Sequence, residues 1–338
     1  MNNTSVMNHV NSQKGGNVMK YGGMTTLRER CSKLNASKAR SLLWSICRIM
    51  LVIGISYLIL YPVLAKLSIA VMSRSDMNDV SVNWIARSPT LENFSFAFNA
   101  MEYPKALLNT LINCVVCTFL QMFSCCLAAY SFVKLKYPGA KLLFFIAVFS
   151  LAVPPQTYMI AMYSQFRYFD PFGIVTAITG KAGLINTFVP HFVRAFCGVG
   201  INCGLYIYLM TQFFKNVPTE FEEAAYVDGA SPFTIFLKIM LPNAKPILIT
   251  IAVLSFVWQW NDEFYSSLFS PNMDFISRNL YNIDEQIRAV TGAYVNDSAY
   301  TSIIKNTASL IAVAPLLLLF IAVQKFFVES LERSGIVG

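Results

Sequence analysis

Few residues in this 338-residue chain are of a kind and spacing that could do chemistry. Cys114 and Cys117 form a C-x-x-C, but no histidine or second cysteine pair stands near enough to complete a four-ligand zinc site. His9 and His191 are the only histidines, which excludes an H-E-x-x-H metal site. Seven of the eight cysteines fall in apolar stretches, where free cysteine behaves as a small buried hydrophobe. A membrane enzyme would need a nucleophile–base set or metal ligands, and neither is visible. The most patterned polar stretch is 222–242, "EEAAYVDGASPFTIFLKIMLP", which holds two adjacent carboxylates, a central Gly229 and a terminal Pro242. No catalytic constellation is visible in it, so the order of this stretch needs another explanation.

The elements that must carry it are membrane spans. Hydrophobic residues make up 55% of the chain and charged residues 13%, against about 45–50% and about 25% in soluble domains. A span needs roughly 20 mainly apolar residues, and six stretches qualify: about 44–70, 107–132, 142–165, 186–213, 246–268 and 307–328. An all-α polytopic membrane protein follows. The formal net charge is +8, and its distribution matters more than its sum. Lys134, Lys136 and Lys141 mark 134–141 as cytoplasmic, and the N-terminal tail carries seven basic residues against Glu29 alone. Segments 73–105 and 269–305 mix both signs and read as external. Both termini are then cytoplasmic, and so is the patterned loop after span four, 214–245. Residues 1–43 read as a basic, mostly disordered tail, with no signal peptide evident because the first apolar run is too long for an h-region.

Within the loop the residues write out two short helices. Thr219 and Glu222 have capping-box spacing. Gly229 stands where a left-handed residue would end the first helix, and Ser231 with Pro232 can start the second. Phe233, Phe236, Leu237 and Met240 form an apolar stripe that Pro242 stops. Such a helix–turn–helix either packs only on its own bundle or fits a groove on a separate cytoplasmic protein; local physics leaves both open.

The run Glu223-Ala224-Ala225, Gly229, Ile239 and Leu241-Pro242, at these spacings, resembles the complete EAA loop of ABC-importer inner-membrane permeases, the binding-protein-dependent transport family. "PTLENF" (89–94), "NTLIN" (109–113), "AAYSFVKLKYPG" (128–139), "GLYIYLMTQFF" (204–214), "WND" (260–262) and "QKFFVESLERSGIVG" (324–338) resemble its carbohydrate-type branch, so the likeness covers roughly 45–338. The resemblance implies the type I importer permease fold in a bacterial cytoplasmic membrane. It further implies a second permease subunit, in a hetero- or homodimer, two cytoplasmic ATPase subunits, and an extracytoplasmic binding protein that delivers a carbohydrate. In that family the loop is the coupling helix, so Glu223 would anchor the ATPase contact and Gly229 would permit the bend. ATP and Mg would belong to the ATPase: this chain has no Walker A motif and is expected to bind no cofactor, no metal and no nucleic acid. The terminal "ESLERSGIVG" is more acidic than the family's usual ending, and the long tail has no family counterpart.

For the solute, span five offers Trp258, Trp260, Asn261, Asp262 and Glu263. The apolar run before them is too short to cross a core of roughly 30 Å, so this stretch either faces a wet cavity or sits at the outer interface. Pro154-Pro155 in span three is read as a gating kink or a static one. Gly198, Gly200 and Gly204 resemble close-packing residues of an apolar helix. His191 and Arg194 are expected near the outer surface, snorkelling to the interface. The outer loops, including "NLYNIDEQIRAVTGAY", would receive the binding protein. Amino acid, polyamine or phosphonate import is the alternative within the class. An ion-coupled secondary transporter using Asp262 and Glu263 is the alternative outside it.

Overall fold

The computed structural model describes residues 22–335 except 80, 83, 136, 181 and 292–297. Part of the expected tail, residues 1–21, and the chain end 336–338 lie outside the described residues, as does Lys136. Every regular element among the described residues is helical. The chain divides into two compact units at Pro62/Val63. The first ends in α1, Gly22–Ala70, which starts well inside the stretch read as a tail. From Ser41 onward α1 is apolar enough to cross a membrane, and Leu51, Ile53, Leu58 and Ile59 are exposed on it.

The second unit continues with α2 (Arg74–Asn78), α3 (Glu92–Ala100) and α4 (Tyr103–Lys134), the helix around which the unit is built. Next come α5 (Ala140–Phe149), α6 (Met159–Arg167), α7 (Ile174–Thr179), α8 (Val189–Phe196) and α9 (Cys203–Lys215). Two short helices follow, α10 (Glu220–Val227) and α11 (Pro232–Ile235); the latter runs through a π-helical turn, Phe236–Met240, into α12 (Leu241–Asn243). The last elements are α13 (Lys245–Trp260), α14 (Phe264–Phe269), α15 (Ile276–Tyr281), α16 (Ile283–Thr291) and α17 (Ser298–Gly335). Helices α15 and α16 lie in the 269–305 segment, where a short helix was expected.

Three helices are individually long and apolar enough to span: Ser41–Ala70, Tyr103–Lys134 and Ser298–Lys325. The other three expected spans are interrupted. Span three bends by 102° between Ala140–Ala152 and Pro155–Ile178. Span four is two helices, α8 and α9, parted at 197–202. Span five is α13 followed by α14, and the 16 residues of α13 reach only about 24 Å.

Lipid is as apolar as leucine, so helices in it associate through close packing of small residues and through polar contacts. Helix α4 shows both. Its buried face reads Ala106, Thr110, Asn113/Cys114, Cys117, Gln121, Cys125 and Ala129, a small or polar residue at every helical turn. Its other face exposes Leu108, Leu111, Val115 and Phe119. Cys114, Cys117, Cys125, Cys126 and Cys203 are buried small residues, whereas Cys47 and Cys197 are exposed. Helices α8, α9 and α13 pack along the buried face. One core, around Tyr130, Tyr206, Phe214, Phe236 and Met240, fills the end of α4 that carries Lys134. A second, around Met101, Trp260, Ile276, Ile283 and Ile304, fills the opposite end.

Candidate functional site

The patterned loop folds as two helices locked onto α4. Helix α10 ends in a Schellman arrangement: Gly229 N–H donates to Tyr226 O (3.0 Å) and Ala230 N–H to Ala225 O (3.0 Å). Gly229 takes φ +77°, the left-handed conformation that glycine adopts without a Cβ penalty. Ser231 caps α11, its hydroxyl accepting from Thr234 N–H at 3.2 Å, with Pro232 in the first turn. The π turn comes just before Pro242, which has no N–H to give the helix, and the helix ends one residue beyond it at Asn243. There the chain turns by 80° into α13.

Two local expectations change. Thr219 makes no side-chain cap: its backbone is already helical (φ −71°, ψ −21°), not the extended conformation of a capping residue, and the carboxylate of the expected box is used elsewhere. Glu222 is buried and pairs with Lys134 at 2.5 Å, and Lys134 also donates to Val217 O at 3.3 Å. A buried ammonium held by one carboxylate outweighs an exposed capping bond, since an unpaired charge there costs several kcal/mol. One turn earlier on α4, Tyr130 OH donates to Pro232 O at 3.3 Å, and its ring meets Phe236 at 5.2 Å. Both short helices are thus fastened to the last two turns of α4. The buried stripe of the second helix also shifts: Ile235, Phe236 and Met240 are buried, while Phe233 and Leu237 are exposed.

The other face is bare. Glu223, Ala224, Gly229 and Pro242 are exposed, and Phe221, Tyr226, Val227 (88%), Phe233 and Leu237 surround them with apolar surface. Ala225 is buried, and Ile239 and Leu241 pack partly into the bundle. A Cβ at Gly229 would meet nothing within 4 Å. The residues singled out in the sequence therefore sort into two sets: Ala225, Ile239 and Leu241 hold the knob to the bundle, and Glu223, Ala224, Gly229 and Pro242 are presented outward.

The three interrupted spans meet around a cavity of about 770 Å³. Pro154 is extended (φ −62°, ψ 133°), as a residue before proline is forced to be. Pro155 and Tyr158 beyond it form one wall. The break in span four forms the opposite wall, with Gly198 at φ +71° and Asn202 at φ +57°. Gly198 is thus a turn residue, and Gly200 and Gly204 are the close-packing ones: Gly200 lies against Gln121, and a Cβ at Gly204 would sit 2.5 Å from Ala147 O. Gln121 is fully buried and ties three helices at this level. Its amide donates to Ile201 O (2.9 Å), and its carbonyl accepts from Ser255 Oγ (2.6 Å) and Gln259 (3.3 Å).

Of the five residues proposed for the solute path, Trp258 lines the cavity. The other four are engaged elsewhere. Trp260 is buried in the second core and donates to Ala312 O at 3.2 Å. Asp262 accepts from Tyr265 and Ser266 N–H, both at 3.2 Å, capping α14. Glu263 accepts from Ser267 Oγ at 2.8 Å, and Asn261 donates back to Val257 O at 2.8 Å. Where the apolar run of span five ends, polar residues are needed to restart a helix, and these do so. His191 and Arg194 do not snorkel: they are 4% and 6% exposed. His191 meets Ser270 Oγ at 3.2 Å, and the Arg194 guanidinium lies 3.6 Å from the centre of the Tyr265 ring at the cavity wall. Gln121, Arg194 and Glu222 were missed as site residues. Their signal was a strongly polar or charged side chain inside an apolar span for the first two, and an acid beside a better-known motif position for the third.

A family described as "Binding-protein-dependent transport system inner membrane component" matches residues 123–334. A probable ABC transporter permease protein of Pyrococcus horikoshii is 29% identical over 293 residues, covering 85% of this chain and 93% of its own length. The melibiose/raffinose/stachyose import permease protein of Bacillus subtilis is 27% identical over 265 residues, covering 77% and 86%. A solved structure of a bacterial ABC transporter involved in the import of the acidic polysaccharide alginate superposes with a TM-score of 0.62 at 19% identity, over 84% of this chain and 96% of that one, which gives the fold. With the family matched across most of the spans and both short helices, the chain belongs to the inner-membrane permease components of binding-protein-dependent ABC importers.

Proposed function

We propose that this chain is one permease subunit of an ATP-driven importer that carries a sugar or oligosaccharide through the cytoplasmic membrane. The observation that carries the proposal is the knob formed by α10 to α12. It is fixed rigidly to α4 by a buried ion pair and a tyrosine, yet offers Glu223, Ala224 and Gly229 to solvent amid apolar surface. Large exposed apolar patches mark interaction sites, and a partner seated here would push directly on α4. The partner is a cytoplasmic ATPase subunit, two per transporter, which holds the ATP and Mg. A second permease subunit completes the pore, both termini face the cytoplasm, and the external binding protein docks on the outer segments that contain α2, α3, α15 and α16. Movement of α4 changes the angles at the interrupted spans, with Pro154-Pro155 as a flexing point. The Bacillus relative's melibiose, raffinose and stachyose support a carbohydrate as solute. The test is uptake of labelled raffinose and maltotriose by cells that carry the intact system. Import that stops on ATP depletion and survives collapse of ion gradients supports the proposal; import driven by an ion gradient alone, or of amino acids instead, contradicts it.

A further inference from the structure

We propose that the cytoplasmic extension of α1 is a docking surface for the anionic phospholipid headgroups of the inner leaflet, centred on Arg40, Trp44 and Arg48. This inference rests on the orientation proposed above, with the amino terminus in the cytoplasm. Helix α1 runs from Gly22 to Ala70, yet only part of it can lie in hydrocarbon. Arg48 and Lys66 bracket 49–65, a stretch without charge that reaches roughly 26 Å at helical rise. That is close to a core of roughly 30 Å once the long basic side chains extend outward. Trp44, 71% exposed, stands one turn beyond Arg48, at the depth where interfacial aromatic residues gather. The rest of the helix, back to Gly22, is then at headgroup level or in the cytoplasm.

The extension is strongly basic, and its charge is ordered. From Gly22 to Arg48 six residues are basic and Glu29 is the single acid. At about 100° per residue, Arg30, Lys33, Ser37, Arg40, Trp44 and Arg48 fall within roughly 80° of one face of the helix. Arg48 is exposed and makes no hydrogen bond or ion pair among the described residues. A guanidinium presents a planar fork that grips a phosphate through parallel N–H bonds. An indole between two such groups places its apolar body toward the acyl chains and its N–H toward the headgroups. Each basic residue near an anionic leaflet is worth roughly a fivefold gain in binding. Lys33 and Arg30 continue the stripe away from the surface, where the attraction fades over a Debye length of about 10 Å. The complementary partner is a layer of phosphate at the membrane surface, because the stripe is continuous with a span that fixes its upper end there.

A local probe tests this in the full transporter, reconstituted in phosphatidylethanolamine bilayers with a minor fraction of phosphatidylglycerol. Ser37→Cys, combined with Cys31→Ser, Cys47→Ser and Cys197→Ser, is labelled with a benzophenone maleimide, and the lipid adducts formed on irradiation are identified by mass spectrometry. Phosphatidylglycerol is expected in the adducts severalfold above its share of the bilayer, and high salt is expected to reduce that excess. Arg40→Gln with Arg48→Gln is expected to bring the adducts to the bilayer composition. Lys38→Gln, which removes the same kind of charge off the stripe, is expected to leave the excess in place. Arg40→Lys with Arg48→Lys should retain part of it, since charge is kept and the fork is lost. Inorganic phosphate in solution is expected not to compete. Adducts in proportion to the bilayer, adducts mainly to another subunit, an equal loss in the Lys38→Gln protein, or displacement by phosphate alone would each overturn the inference. ATP-dependent sugar uptake in any of those cases leaves the import reading standing. Labelling of Ser37→Cys from outside the cell by an impermeant thiol reagent would overturn the inference together with the orientation.

Discussion

At the residue scale, Gly229 is the sharpest point of the account. Its φ of +77° is a conformation glycine shares only with asparagine and aspartate at modest cost, and its Cβ position is open within the chain. Gly229→Asp is therefore expected to leave the protein folded in the membrane but to uncouple it from its ATPase, because the new carboxylate would project into the outward face. Gly229→Asn, which keeps the turn without the charge, should retain more transport than Gly229→Asp; equal transport by all three proteins would show that this face has no partner. The buried Lys134–Glu222 pair gives a second test. Glu222→Gln alone should cost about 3–5 kcal/mol of stability by leaving an uncompensated ammonium, whereas Lys134→Met with Glu222→Leu should recover most of it. Apparent melting temperatures of the purified complex check this, and full additivity of the single changes would contradict it. Gly229 was legible in the sequence because a helix end, a cap and a proline surround it. Glu222 was not: a capping box and a long-range ion pair use the same residue, and only the fold brings Lys134 to it.

At the element scale, α4 is the common support of knob and cavity. Tyr130 and Lys134 hold the two short helices, and Gln121 holds the broken span four and α13. Gln121→Leu should leave Ser255, Gln259 and the Ile201 carbonyl short of a partner, costing about 1–3 kcal/mol each where buried. The expected result is a complex that hydrolyses ATP but imports less solute per ATP, measured in proteoliposomes; an unchanged ratio would remove α4 from the transmission path. The continuous spans were legible from composition alone, since 20 apolar residues in a row leave little choice. The interruptions were only partly so. Pro154-Pro155 announced its own bend, but the break at 197–202 contains no proline, and its glycines read equally well as helix packing. What distinguishes them is the positive φ of Gly198 and Asn202, with Gln121 of α4 packed on Gly200 and donating to Ile201 O between them, a long-range contact that no local pattern reveals. The "WQWNDEFY" stretch shows the same limit: its polar residues restart a helix and fill a core, and Trp258 alone among those proposed reaches the cavity.

At the scale of the whole molecule, mechanical work has to enter through a surface that the chain itself leaves uncovered. The exposed set Glu223, Ala224, Gly229 and Pro242, with Val227 and Phe233 beside it, is the surface proposed for this role, and its fastening to α4 would give the work a route into the bundle. The most direct measurement places a single cysteine at Ala224 in the full transporter, with the exposed native cysteines replaced, and follows disulfide cross-linking to cysteines introduced along the cleft of the ATPase subunit. Efficient cross-links there that change with bound nucleotide are expected, with a loss of transport on cross-linking that a reductant reverses. Absence of any cross-link in an assembled, transporting complex, or labelling of the Ala224→Cys protein by an impermeant thiol reagent from outside the cell, would contradict it.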